Sequence, residues 1–292
     1  AVQQGPDCLI ATPGRLNDFV NKGEVSLDQV RYAILDEADR MLDMGFMSQI
    51  KDILDKAPWE SRQTSMFTAT WPKDCKDLAA KYIRDPVQVQ IGSLEITVNS
   101  NITQHVEIFN AEGDKTDGLK KILSALPEGG NCLVFCNSKK KCGQLSWDLD
   151  RDRALGLAAV ELHGDLDQNG RDSSLNRFRS GEARVMVATD LASRGLDVRN
   201  IAVVVNFDAP RTAEDYVHRI GRTGRADDTG DAYTFLLSWG NDNEAKFIAD
   251  FMAKAGQQVE QPLQELADKS NGEVFAGYKK KEDSWDKKDD SW

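Results

Sequence analysis

Ile34-Leu35-Asp36-Glu37-Ala38-Asp39-Arg40-Met41-Leu42 is the stretch on which the fold turns. Tyr32-Ala33-Ile34-Leu35 is a short apolar run of the kind that forms a buried strand, and it ends on two adjacent acids, Asp36 and Glu37. Ligands of open parallel α/β sheets sit beyond the carboxyl ends of the strands. An acid pair at that end is placed to hold a magnesium ion, through water, and an attacking water against a nucleotide phosphate. Asp36 anchors the metal in this reading, and Glu37 orients or deprotonates the water, the division of labour of phosphoryl-transfer sites. The same letters also describe a strand followed by the solvated start of a helix. The pair therefore needs support from the rest of the chain.

Upstream, Asp7 to Ala11 has the pattern of a strand, stopped by Thr12-Pro13-Gly14-Arg15 before a helix at Leu16 to Asn21. Exposed amides, a hydroxyl and a guanidinium at such a turn suit a nucleic-acid phosphate. Downstream, Met41, Leu42, Phe46, Ile50, Ile53 and Leu54 form an apolar helical stripe, which is core packing. Thr64 to Phe67 is a second strand, ending on Thr68-Ala69-Thr70, where the Thr68 hydroxyl can bond an acid such as Asp39. A helix at Asp74 to Ile83 and a strand at Val87 to Ile91 complete the first unit, and Gly92 to Asn101 is polar enough for a linker.

A second unit follows. Strand patterns at Gln104 to Phe109, Cys132 to Cys136, Val160 to His163, Val185 to Ala188 and Ile201 to Asn206 alternate with helical ones. That alternation predicts a parallel sheet covered on both faces. Gly113-x4-Gly118-Leu119-Lys120 has the outline of a phosphate loop but not its Gly-Lys-Ser/Thr ending, so it is rejected. His218-Arg219-Ile220-Gly221-Arg222-Thr223-Gly224-Arg225 holds three arginines and a histidine among glycines, a composition poorly suited to a core. Arg222 and Arg225 stand three apart, so on a helical turn they point the same way. Two guanidiniums in a cleft stabilise charge on a transferring phosphoryl group, worth roughly 10³–10⁵ in rate.

Composition excludes less than the motifs include. Hydrophobic residues are 40% and charged ones 29% of the 292, as in soluble globular proteins. No apolar run approaches the ~20 residues that span a bilayer. The net charge of −11 weighs against a nucleic-acid binder in bulk, yet phosphate contacts depend on where Lys and Arg sit. The five cysteines lie mostly in apolar or helical surroundings, and Cys132-x3-Cys136 has no second pair to complete a zinc site. A reduced intracellular protein, of nucleus or cytoplasm, is expected. Opening on Ala1 rather than Met, and almost directly on a strand-like segment, the chain is expected to be a fragment. Beyond about Asp268 it turns polar, with Lys279-Lys280-Lys281 and near-duplicate Glu-Asp-Ser-Trp and Asp-Asp-Ser-Trp at 282–285 and 289–292. A disordered charged tail is expected there, through which protein partners could dock.

Taken in order, Thr12-Pro13-Gly14-Arg15, Asp36-Glu37-Ala38-Asp39, Thr68-Ala69-Thr70, Gln168 to Arg171, Thr189-Asp190, Arg194-Gly195-Leu196-Asp197 and His218 to Arg225 resemble the motifs of the DEAD-box RNA helicases. The resemblance covers the chain to about Leu266. It implies an α/β fold of two RecA-like parallel-sheet domains in tandem, the first incomplete. Residues 1–91 would be the end of the first domain, 92–101 a linker, 102–267 the second domain and 268–292 the tail. It implies ATP and Mg2+ between the domains, with RNA crossing both through backbone contacts and little sequence preference. Asp36 and Glu37 would serve metal and water, Asp197 the ATP ribose, and Arg222 and Arg225 the transferred phosphate. His218 would link the ATP site to the first domain. Thr12, Gly14, Arg15, Arg171, Thr189, Arg194 and Gly195 would touch RNA, with Asn137 and Ser138 beside them. Asp39, Thr68 and Thr70 would couple hydrolysis to strand separation, although Thr68 stands where the family usually has Ser. The family's phosphate loop, adenine-reading motif and first RNA motif are not among the 292 residues, so the chain alone is expected to be inactive. The alternative is a non-catalytic RNA-binding remnant of a helicase.

Overall fold

A computed structural model describes residues 6–91, 97–190, 201–224 and 228–270, with only the backbone of Asp43. The chain divides into two compact units, residues 1–95 and 96–292.

Unit 1 holds a parallel pair, β1 (Tyr32–Leu35) and β2 (Gln63–Met66), in register from Tyr32 opposite Gln63 to Leu35 opposite Met66. Helices α1 (Pro13–Asn21), α2 (Ala38–Asp43), α3 (Met47–Lys56) and α4 (Lys73–Tyr82) accompany it. One core forms where Ala33, Leu35 and Met66 meet Leu42, Ile50, Leu54, Leu78 and Tyr82. Because side chains alternate along a strand, Tyr32 and Ile34 point the other way, where they stay 72% and 66% exposed.

Two expected strands are not formed. Asp7 to Ala11 and Val87 to Ile91 have no regular structure, and Ile10, Val87, Val89 and Ile91 are almost bare. Alternation suits a segment to a sheet, but a strand needs a neighbour to satisfy its amides, and β1 pairs only with β2 among the described residues. Helix α1, in turn, starts three residues before the expected Leu16, because Pro13 fits its first position, where no amide hydrogen is needed.

Unit 2 is a six-stranded, all-parallel sheet in the order β3-β8-β7-β4-β6-β5. The strands are β3 (Ile102–Phe109), β4 (Asn131–Phe135), β5 (Ala159–Leu162), β6 (Val185–Ala188), β7 (Ile201–Asn206) and β8 (Gly230–Leu237). The helices are α5 (Asp114–Ser124), α6 (Lys139–Asp150), α7 (Gln168–Arg179), α8 (Ala213–Ile220), α9 (Asp242–Lys254) and α10 (Gln261–Ala267). Cys132 and Val134 of β4 pack with Leu119 and Ile122 of α5 and Leu145 of α6, while Leu133 and Phe135 face Phe178 of α7. Burial on both faces is why β4 is an unbroken apolar run. Three helices open on a side chain that accepts an amide from the third residue on: Ser138 from Lys141, Asp167 from Gly170, and Thr212 from Asp215.

Strand β8 was not expected, although Ala232, Thr234 and Leu236 alternate with Tyr233 and Phe235. It lies between β3 and β7 and closes the sheet. The outer edge of β3 is partly blocked by one side chain. Gln257 Oε1 accepts from the Gln104 amide and its Nε2 donates to the Ile102 carbonyl, both at 2.7 Å. An amide side chain thus occupies the place of a neighbouring strand. Among the described residues, no helix is long and apolar enough to cross a membrane.

Candidate functional site

In unit 1 the site begins where β1 ends. Asp36 and Glu37 are both exposed, and Glu37 adopts a left-handed backbone, φ 51° and ψ 49°. That conformation costs a non-glycine residue of order 1–3 kcal/mol and persists where neighbours dictate it. Here the Glu37 amide donates to Asp36 Oδ1 at 3.0 Å, and the Ala38 amide donates to the Phe67 carbonyl at 3.0 Å. The chain turns sharply, so Asp39 is carried inward to 5% exposure while the acid pair stays in solvent.

Asp39 is locked there. Its Oδ2 accepts from the Thr70 amide at 2.8 Å and the Thr70 hydroxyl at 2.7 Å, and its Oδ1 from the Arg40 amide at 2.9 Å. Burial pushes its carboxyl up, but the bonds from Thr70 and Arg40 more than offset that and hold it below the ordinary carboxylate value. Thr68 is tied to Asp39 as well. Thr68 Oγ1 accepts from the Asp39 backbone amide at 3.3 Å and donates to the Thr70 carbonyl at 2.7 Å. Thr12 and Arg15 are exposed at the start of α1, with the Arg15 guanidinium 4.6 Å from the Phe19 ring.

Magnesium keeps most of its waters and takes one or two carboxylates along with substrate phosphates. The exposed Asp36 carboxylate, with one oxygen engaged by its neighbour's amide, fits that demand. No group of three or more metal-ligating side chains exists among the described residues, which an all-protein cage would require.

In unit 2 four of the sequence-chosen residues lie at the carboxyl ends of the strands, whereas the turn carrying Arg222 lies at the amino end of β7, where Thr223 Oγ1 donates to the Ile201 carbonyl. Asn137 and Ser138 follow β4, and Thr189 and Asp190 follow β6; Arg171 lies in the first turn of α7, whose cap follows the β5 loop. The residue that joins the first two loops was missed. Arg219, counted in the sequence among the cations of one cluster, is 1% exposed and among the largest fully buried side chains of the described residues. Its Nε and Nη2 donate to Asp190 at 2.6 and 2.7 Å, Nη2 also to Asn137 Oδ1 at 2.6 Å, and Nη1 to the Asp208 carbonyl at 2.8 Å. The planar fork of arginine serves three loops at once, which a lysine ammonium cannot do. The signal was available in the apolar residues Val217 and Ile220 around it on an amphipathic helix, whose inward face includes Arg219.

The cluster extends past its helix. Helix α8 ends at Ile220, so Arg222 lies in the turn beyond it, with its amide on the Arg219 carbonyl at 3.1 Å and its Nε on the His218 carbonyl at 3.2 Å. The helical turn expected to hold Arg222 is therefore not formed. Gly224, farther along that turn, has φ +63°, and a Cβ there would come within 2.5 Å of Ile102. His218 is half-buried in the last turn of α8. Arg194, Gly195, Asp197 and Arg225 lie outside the described residues.

Two parallel-sheet units with acids, hydroxyls and a buried arginine brace at their strand ends define a tandem RecA-like architecture. Residues 1–78 match the model of the DEAD/DEAH box helicases and residues 114–227 that of the helicase conserved C-terminal domain. The chain belongs to the DEAD-box RNA helicase family. It is 47% identical over 275 residues to DEAD-box ATP-dependent RNA helicase 46 of Arabidopsis thaliana, covering 93% of this chain and 41% of that protein. It is 45% identical over 273 residues to ATP-dependent RNA helicase DBP2 of Saccharomyces cerevisiae, covering 93% and 49%. It therefore spans at most about half the length of these relatives. The structure of S. cerevisiae Dbp5 bound to RNA and ADP BeF3 matches with a TM-score of 0.71 at 28% identity, over 86% of this chain and 63% of that one.

Proposed function

We propose that the chain supplies the metal, water, RNA and phosphate contacts of an ATP-dependent RNA helicase, in which RNA-stimulated ATP hydrolysis drives local duplex unwinding or ribonucleoprotein remodelling. One observation carries this reading: Asp36 and Glu37 stand in solvent at a strand end while Asp39, two residues on, is locked onto Thr70. Three acids in four positions thus take two different environments, as a catalytic pair and a coupling residue require. Bound magnesium would neutralise charge on the phosphates. Asp36 would hold it through water, Glu37 would orient the attacking water, and Arg222 and Arg225 would face the transferred phosphate. His218 would pass the state of that site to the first domain. Asp197 would hold the ribose of ATP.

Thr12, Gly14, Arg15, Arg171, Thr189, Arg194 and Gly195 would grip the RNA backbone, which explains action without sequence preference. Asp39, Thr68 and Thr70 would couple that grip to hydrolysis. The domain limits 1–91, 92–101, 102–267 and 268–292 belong to this proposal, as do docking of protein partners on the tail and a setting in the nucleus or cytoplasm. The test is binding of labelled single-stranded RNA by the 292-residue chain, with Arg171→Ala and Arg15→Ala expected to weaken it several-fold in low salt. Full affinity in both variants would overturn the RNA assignment.

A further inference from the structure

The carboxyl edge of the unit 2 sheet continues past the loops described above. Trp239 stands two residues beyond β8 and is 64% exposed. Its Nε1 donates to the Asn110 carbonyl at 3.3 Å, and the neighbouring Ser238 hydroxyl donates to Asn110 Oδ1 at 3.1 Å. The ring is therefore tethered to the residue after β3, with its face in solvent. Trp147 is the other exposed large apolar side chain described in unit 2, and the Arg151 guanidinium covers it at 4.2 Å. No ring or cation stacks on Trp239 among the described residues. A tryptophan held by its N–H and left open on its face is built for contact.

The ground between Trp239 and the Asn137-Ser138 loop is continuous. The Ser138 hydroxyl accepts from the Lys141 amide, and Lys141 Nζ reaches Glu112 and Asp208, each at 2.6 Å. Glu112, two residues past Asn110, also pairs with Lys115 at 2.9 Å. Its carboxylate is thus met by two lysines rather than left to repel a phosphate. At ~4.8 Å per strand, the end of β8 is about 10 Å from that of β4 and about 14 Å from that of β6, a span of a few nucleotides.

We propose that Trp239 is a stacking platform for a base of single-stranded RNA that runs on from the loops carrying Asn137, Ser138 and Thr189. The inference rests on the RNA reading above and adds a base contact to what is otherwise a backbone grip. Stacking accepts any base, because each has a π face. A base is favoured over a protein partner because Trp239 shares its edge with the candidate RNA loops.

The test measures fluorescence anisotropy of the 292-residue chain on a labelled oligoadenylate and on an abasic strand of equal length. Trp239→Ala should lose at least about fivefold in affinity for oligoadenylate and nothing for the abasic strand. Trp239→Phe should recover most of the loss, and equal melting temperatures check the fold. Equal losses on both strands would overturn stacking. Wild-type affinity in Trp239→Ala alongside weakened Arg171→Ala would overturn the platform, keep the RNA reading and leave Trp239 to a protein partner. No binding by the wild-type chain would sink both.

Discussion

Asp39 and Thr70, 31 residues apart, meet on one carboxylate oxygen: Oδ2 of Asp39 accepts both the amide and the hydroxyl of Thr70. The turn after β1 and the loop after β2 are thereby tied at the point where the exposed acid pair leaves the sheet. Anything that shifts the Thr68–Thr70 loop must move the backbone that carries Asp36 and Glu37.

That tie sets a pH dependence. A carboxyl depressed in the folded state adds stability above its ordinary value of 3.8 and loses it as pH falls through the lower folded value. Asp39→Asn should therefore cost most at neutral pH, and the gap to wild type should close below about pH 4. Thr70→Ala should cost about 1.5–3 kcal/mol at neutral pH, the range for hydrogen bonds to a charged group. Thermal melts across this range check both, and a gap that persists unchanged into acid would refute the depressed carboxyl.

Arg219 makes the corresponding tie in unit 2. Arg219→Ala should cost about 3–5 kcal/mol, since it removes the buried guanidinium that the Asp190 carboxylate and Asn137 Oδ1 share. Arg219→Lys should recover only part of this, because one ammonium cannot replace a fork bonded to three loops. Urea unfolding of the full chain gives both values. A lysine variant as stable as wild type would show that charge alone suffices.

Gln257 offers a more local readout. Gln257→Ala removes both bonds to the edge of β3 and should cost about 1–2 kcal/mol. Hydrogen exchange should quicken at the Gln104 amide and stay unchanged in β4, three strands away. Uniform acceleration across the sheet would mean that Gln257 supports the whole unit rather than one edge.

Much of this was legible in the sequence because parallel strands buried on both faces leave apolar runs, and β4, β6 and β7 are such runs. The missed strand, β8, alternates small and large residues with a polar, buried Thr234 whose hydroxyl accepts from Asn206 Nδ2 at 3.0 Å. Partners distant in sequence hide a strand of that kind. The errors at Asp7 to Ala11 and Val87 to Ile91 have the opposite cause, since alternation is local and pairing is not. In the site, residue types at strand ends could be read from order and spacing. The inward turn of Arg219 and the two hydrogen bonds of Thr70 to one oxygen of Asp39 could not, because both depend on where separate loops meet.

Thiol chemistry gives an independent check on burial. Cys75, Cys132, Cys136 and Cys142 are buried and Cys8 is exposed. Burial raises the thiols of Cys132 and Cys136 and moves Cys142 to about 12. An aromatic disulfide reagent at neutral pH should titrate one fast thiol in the folded chain, lost in Cys8→Ser, and five in denaturant. A second fast thiol would mean that one of the cores opens.

Hydrolysis itself depends on more than these residues. Asp36, Glu37 and Arg222 are present, but the 292 residues contain no Gly-x4-Gly-Lys-Ser/Thr loop to cradle the β- and γ-phosphates. The chain alone should therefore show negligible RNA-stimulated ATPase. A longer protein that joins such a loop to these residues in frame should turn over ATP. Glu37→Gln in that longer protein should then lower kcat at least about a hundredfold, as loss of a general base does, with little change in KM for ATP. The split matters, because a merely structural Glu37 would move KM and the melting temperature as well. Robust turnover by the 292 residues, abolished by Glu37→Gln, would show that these strand ends hold the phosphates without the loop.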